Sequence, residues 1–296
     1  MTTELGHNHS QLKRDQFLDY TRTCLVPHRA VQGVVVIGSV ASGFARPDSD
    51  IDAVVFMEPF DPYIAPAESL WRASDNTHHS IFSDDPTLDQ DGIQLDLHRL
   101  DLARWRSAEH SWPEHTRAEL ADGWIVFDRT AEIAKLIKEQ TSMSESARLV
   151  ILDEVLVEVA GLLPEDPFQT WRQLGPTEAF DRLQAVWEAL ARGLFGYNKK
   201  WRPWRSRSIR NLMQVEYLPD ALRIATGAAA SSGDGSLDGY RQRADLLKAV
   251  AAELLDRLRR DGAYGPDAIG EAFRRLHDEP GRAWNMDEWN RNRRTH

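Results

Sequence analysis

The sequence predicts an α/β domain followed by an all-helical one, and three observations carry that prediction. Short runs rich in β-branched residues, "VVVIGS", "IDAVVFM", "GIQLDLHRL" and "GWIVFD", lie in the first half only and read as strands. Helical periodicity is interleaved with them. After about residue 141 the strand-like runs stop and long helical patterns take over, the signature of separate domains.

Taken in order, "QLKRDQFLDYTRTCL" spaces Leu12, Phe17, Tyr20 and Leu25 as a helix does. "VVVIGS" and "IDAVVFM" are apolar and bounded by turn formers. "GIQLDLHRL" alternates, with Ile93, Leu95 and Leu97 on one face and Gln94, Asp96 and His98 on the other. "GWIVFD" is a further strand and "RTAEIAKLIKEQ" an amphipathic helix. The expected domains are therefore residues 1–141 and 142–296. The second holds the helical patterns "SARLVILDEVLVEVAGLL", "TEAFDRLQAVWEALARGLFGY", "YRQRADLLKAVAAELLDRLRR" and the shorter "DAIGEAFRRL", with a flexible connector at residues 230–239.

Composition narrows the function classes. The net charge of −10 comes from residues 1–140, which hold 23 acids and 13 bases, whereas residues 141–296 hold 23 of each. An acidic half repels nucleic acid and attracts metal ions or cationic small molecules. Cys24 is the only cysteine, which rules out an internal disulfide and a four-cysteine zinc site. No apolar run approaches the roughly 18 residues of a membrane span, and the polar N-terminus has no signal core. A cytoplasmic protein is expected.

The chemistry is concentrated in "GSVASGFARPDSDID", Gly38 to Asp52. Asp50 and Asp52 lie two apart at the start of a strand, so they share a face. Two carboxylates so placed repel unless a cation sits between them. A hard divalent ion such as Mg²⁺ fits, since it takes oxygen ligands and arrives with phosphates. Two-metal phosphoryl chemistry calls for a third carboxylate. Asp96, on the polar face of its strand, would lie across from Asp50 or Asp52 if the strands pair. Gly38 and Ser39 end the preceding strand, where backbone N–H groups and a hydroxyl can hold phosphate oxygens. Gly43 lets the chain turn close to the same ligand. Arg46 lies between them, as a phosphate contact or an exposed loop cation.

These residues resemble the fingerprint of the DNA polymerase beta-type nucleotidyltransferase superfamily: Gly-Ser, then D-x-D, then a later acid on another strand. The chain is most similar to the antibiotic (aminoglycoside and lincosamide) adenylyltransferases, which append a helical domain. "ELADGWIVFDRTAEIAKLI" resembles the way their catalytic domains finish. The resemblance covers residues 30–140; beyond that it is architectural. It implies a small mixed sheet followed by a helical bundle. It also implies that Asp50 and Asp52 bind two Mg²⁺ ions. Asp96 would be the third ligand, the base that activates the acceptor hydroxyl, or both. Gly38 and Ser39 would contact the triphosphate of ATP or another nucleoside triphosphate. The reaction implied is transfer of a nucleoside monophosphate to a hydroxyl of a small cationic acceptor, releasing pyrophosphate. Asp84, Asp85 and Asp91 remain alternatives for the third acid.

In the second half, "NKKWRPWRSRSIR" holds six cations and no acid. Lys199 and Lys200 are candidates to neutralise a triphosphate spanning the two domains, and related helical domains carry a similar Asn-basic-basic-aromatic element. Trp201 or Trp204 could stack on a base or sugar. The plain alternative is a helix C-terminus that favours cations anyway, and for Arg205 to Arg210 that reading is preferred. His78, His79 and His98 lack metal-site spacing and are expected to be exposed or hydrogen-bonded. Glu154, Glu158 and Asp181 are expected on the surface of helices. Two rival readings stand: a nucleotidyltransferase acting on transfer RNA or on protein hydroxyls, as toxins do, and a nucleotide-binding module without catalysis.

Overall fold

The computed structural model describes residues 2–224 and 235–294. Residues 230–234 of the expected connector lie outside the described residues. The chain divides into two compact units, Met1–Ser142 and Met143–His296.

The first unit is α/β, as the pattern of runs predicts. Its elements are α1 (Thr2–Tyr20), β1 (Val31–Val36), α2 (Gly38–Ala41), β2 (Ile51–Met57), β3 (Glu68–Arg72), β4 (Thr77–His79), α3 (Leu88–Asp91), β5 (Gly92–Asp101), α4 (Leu102–Arg106), α5 (Glu114–Ala121), β6 (Trp124–Asp128) and α6 (Glu132–Thr141). The strands form one mixed sheet in the order β4-β3-β5-β2-β1-β6. β2 and β5 run parallel, and the other neighbours are antiparallel. The sheet is apolar on both faces because β2 is near-continuously hydrophobic. Ile51, Ala53 and Val55 join Ile93, Leu95 and Leu97 of β5 against Phe17 and Tyr20 of α1. On the other face Val54 and Phe56 meet Leu102, Trp112, Leu120 and Ile133. Gly33 makes that second layer possible: a Cβ there would stand 2.4 Å from Ile133 Cγ1. Leu12, part of the periodic pattern, is exposed, while Phe17 and Tyr20 are fully buried.

The second unit is all-helical: α7 (Glu145–Leu162), α8 (Pro167–Tyr197), α9 (Arg205–Leu212), α10 (Asp220–Ile224), α11 (Leu237–Arg260), α12 (Ala268–His277) and α13 (Met286–Asn292). Start signals are explicit. Ser144 Oγ accepts from Ala147 N–H, and Asp166 accepts from Phe168 and Gln169 with Pro167 at the first position, which satisfies otherwise orphaned donors. α8 begins ten residues before the periodic run "TEAFDRLQAVWEALARGLFGY" and bends at Gly175, whose φ is +78°. α7 packs closely on α8 because Gly193 and Gly196 stand against Val155 and Ile151; a Cβ at either would come within 2.8 Å. Leu152, Leu190, Leu247 and Leu254 fill the core, each worth about 1.5–3 kcal/mol on burial. Asp153 is 2% exposed. Its carboxylate accepts from Arg275 Nε at 2.8 Å, Arg275 Nη2 at 2.6 Å and Tyr264 Oη at 2.7 Å, which ties α12 to α7.

Candidate active site

The acids are positioned by strand pairing. β2 and β5 run in parallel register, with Asp52 opposite Asp96, Ile51 opposite Leu95 and Ala53 opposite Leu97. Side chains paired in this way point to one face. Asp52 and Asp96 therefore continue the face that carries Val54 and Phe56. Both are half-buried. Asp50 lies two residues before Asp52, just outside β2, and is also half-buried. The pairing places Asp96 across from Asp52 rather than Asp50. Two of the other acids considered for the third position are otherwise engaged. Asp85 accepts from Thr87 N–H and Oγ1 and pairs with Arg72, and Asp91 accepts from Ser74 N–H. Asp84 is exposed.

The turn after β1 abuts this pair. Ile37 N–H donates to Asp52 O at 2.9 Å, so Gly38 is next along from the acid. Gly38 has φ +72° and Gly43 φ +80°, a region that favours glycine. Between them the chain makes the one-turn helix α2 rather than an open turn. Helix α1 braces it: Arg14 Nη2 donates to Ala41 O at 2.6 Å, Arg14 Nε to Val40 O at 3.2 Å, and Ser10 Oγ accepts from Ala45 N–H. Arg46 is exposed and its guanidinium pairs with Asp48 at 3.2 Å.

Two residues of this region escaped the sequence reading. Glu68 of β3 lies directly opposite Asp96, so a row of three acids crosses β2, β5 and β3. Lys13 of α1 is half-buried; burial holds its ammonium below the ordinary lysine range, against the opposing pull of Asp50 and Asp48. A signal for Lys13 was available, because it precedes Phe17 and Tyr20 by four and seven residues and so shares their inward face. Glu68 carried none, since its strand was not recognised.

The donor chemistry suits a hard divalent cation: carboxylate oxygens, adjacent in register, at the edge of a covered face. Among the described residues, no group of three or more His, Cys, Asp or Glu side chains converges as a metal-holding cluster. The histidines follow the plain expectation. His78 Nδ1 bonds Ser69 Oγ at 3.0 Å, His79 Nε2 bonds Thr77 Oγ1 at 2.7 Å, and His98 is exposed.

In the second unit, Lys199 and Lys200 close α8. Lys199 N–H donates to Gly196 O and Lys200 N–H to Phe195 O, a Schellman end. Lys199 occupies the left-handed position, with φ +55°, where glycine is usual. Asn198 holds the turn, donating to Leu194 O and Tyr217 O and accepting from Tyr217 N–H. Lys199 Nζ pairs with Glu145 at 3.2 Å, and Lys200 is exposed. Further along, Arg202 and Arg205 both pair with Glu188, and residues 205–212 form a helix, so this part of the basic run is largely structural. Glu154 pairs with Arg192, while Glu158 and Asp181 are exposed.

Residues 19–142 match the family model described as a nucleotidyltransferase domain. No curated protein matches the chain. Among solved structures, a nucleotidyltransferase-like protein from Exiguobacterium sibiricum 255-15 is 14% identical, covering 94% of this chain and 83% of that one, with a TM-score of 0.41. The first unit is thus a nucleotidyltransferase domain with a mixed six-stranded sheet, and the chain is an enzyme of that class.

Proposed function

We propose that the protein transfers a nucleoside monophosphate, AMP from ATP as the leading case, to a hydroxyl of a small cationic acceptor of the aminoglycoside type. The observation that supports this most is the register pair Asp52–Asp96 beside the glycine turn that ends β1. Asp50, Asp52 and Asp96 would hold Mg²⁺, which when bound supplies charge against the triphosphate. The chain's own groups do the rest. Gly38 and Ser39 offer backbone N–H groups and a hydroxyl to phosphate oxygens. Arg46, Lys199 and Lys200 add cations. The acceptor oxygen bonds the α-phosphorus as the bond to the β-phosphate's bridging oxygen breaks, and pyrophosphate leaves. The hydroxyl proton passes to a carboxylate of the acidic row, for which Asp96 is the proposed base. The excess of acids over the first 140 residues favours a cationic acceptor. The test is a panel of labelled ATP, GTP, CTP and UTP against aminoglycosides and lincosamides, with the Asp50→Asn/Asp52→Asn double variant alongside. Label transfer by wild type only is expected; equal transfer by the variant would remove the assignment.

A further inference from the structure

The second unit contains a pocket of about 600 Å³ whose lining includes Glu145, Arg148, Tyr197, Lys199, Glu216, Tyr217 and Arg257. We propose that this pocket binds a phosphoanhydride, the linked oxyanions of pyrophosphate or of a nucleotide's triphosphate, with Arg148, Lys199 and Arg257 as the binding cations and Glu145 standing in for the ligand.

The cations are held in place by aromatic packing. Arg148 lies 5.3 Å from the Tyr197 ring centroid and Arg257 5.9 Å from it, with Arg257 also 5.4 Å from Tyr217. Arg257 Nε donates to Tyr197 Oη at 2.7 Å and Arg148 Nε to Tyr197 O at 3.3 Å. Guanidiniums so fixed lose little freedom on meeting an oxyanion, and their forks match phosphate oxygens. With both guanidiniums stacked on Tyr197, the pocket reads charge rather than a base. Glu216 also lines the pocket and Arg257 pairs with Asp261 at 3.3 Å, so a ligand whose linked oxyanions reach all three cations at once competes better with these carboxylates than orthophosphate does.

Glu145 marks where an oxyanion sits. Its carboxylate accepts from Arg148 Nη1 at 2.5 Å and lies 3.2 Å from Lys199 Nζ. Those two cations hold it below the usual carboxylate range. Yet Glu145 is 63% exposed, on the first turn of α7, whereas the Arg148 side chain is 10% exposed. The carboxylate can swing to solvent while the arginine stays. Lys199 is kept at φ +55°, a conformation disfavoured for any residue with a Cβ, and unfavourable backbone held at one site is a pointer to function.

This deepens the proposed function through Lys199 and rests on it only for the biological source of the phosphoanhydride. The test is calorimetric titration of pyrophosphate, orthophosphate and a non-hydrolysable ATP analogue in EDTA, using the full chain. Wild type should bind pyrophosphate at least fivefold more tightly than orthophosphate. Lys199→Ala should weaken pyrophosphate at least fivefold, and Glu145→Gln should strengthen it at least threefold by removing the competing carboxylate. Both altered residues are exposed, so folding is not at issue. If the analogue responds to these variants as pyrophosphate does, the source is the nucleotide; if only pyrophosphate responds, it is the free anion. Asp50→Asn/Asp52→Asn should leave the pyrophosphate titration unchanged while losing turnover; retained turnover would sink the proposed reaction and not this site. Absent binding by wild type, indifference to Lys199→Ala, or weaker binding by Glu145→Gln would overturn the proposal.

Discussion

Two sets of carboxylates, one in each unit, are arranged in opposite ways. In the helical unit, Asp153 is buried and accepts three hydrogen bonds from Arg275 and Tyr264, and Glu154 and Glu188 each face an arginine. In the sheet unit, Asp96 has Asp52 on one side and Glu68 on the other. A carboxylate set against a cation holds a fold together. Carboxylates set against each other work against the fold and persist where something cationic is to be bound. The comparison therefore separates acids that stabilise from acids proposed to act.

Replacing one acid of each kind is the strongest way to break it. Asp96→Asn should reduce nucleotidyl transfer on the order of 10²–10³-fold, with stability within about 0.5 kcal/mol of wild type. Pyrophosphate release and urea denaturation read the two effects. Asp153→Ala should do the reverse in kind. It strands Arg275, and loss of a buried partner costs about 3–5 kcal/mol. Arg275 is 37% exposed, so water recovers part of this and about 2–4 kcal/mol is expected. A destabilised Asp96→Asn, or an Asp153→Ala as stable as wild type, would erase the distinction.

The same contrast explains what could be read from sequence. β1, β2, β5 and β6 are legible because their interior positions are β-branched and apolar. β3, "ESLWR", buries only Ser69 and Trp71, and β4, "THH", buries none of its three residues. Their pairing is set by neighbours and by the turn at Asn76, with φ +55°, not by local pattern. With β3 unread, Glu68 went with it. Asp50, Asp52 and Asp96 are visible because spacing alone puts acids on one face. Which of the first two meets Asp96 depends on a long-range register. The pocket in the helical unit is invisible to spacing for a related reason: Arg148, Lys199 and Arg257 come from α7, the end of α8 and α11, and only packing around Tyr197 gathers them.

A smaller effect sharpens the comparison within the helical unit, where Glu145 belongs to both classes. Arg148 and Lys199 depress its pKa from the ordinary 4.5. A carboxyl whose folded value lies below its unfolded one adds stability that is full above the unfolded value. That stability is lost as pH falls through the folded value. Glu145 is largely exposed, so less than about 1 kcal/mol is at stake. Acid titrations of wild type and Glu145→Gln should differ most above pH 4.5, the variant being the weaker, and converge as the pH falls below it; identical curves would mean that the pair contributes nothing to the fold.

The smallest expected change is the most informative about why the pocket is built as it is. Lys199→Gly removes a Cβ from a left-handed position, which relieves about 1 kcal/mol. It also removes the exposed pair with Glu145, worth between nothing and about 1 kcal/mol. The net should be a gain of a few tenths of a kcal/mol, read as a slightly higher urea midpoint with an unchanged slope. Pyrophosphate binding should fall at the same time, since the ammonium is gone. A residue whose replacement by glycine steadies the fold and weakens the ligand is there for the ligand. Were Lys199→Gly to lower stability instead, the ion pair with Glu145 would be structural, and Glu145 would join Asp153 among the acids that hold the helices together.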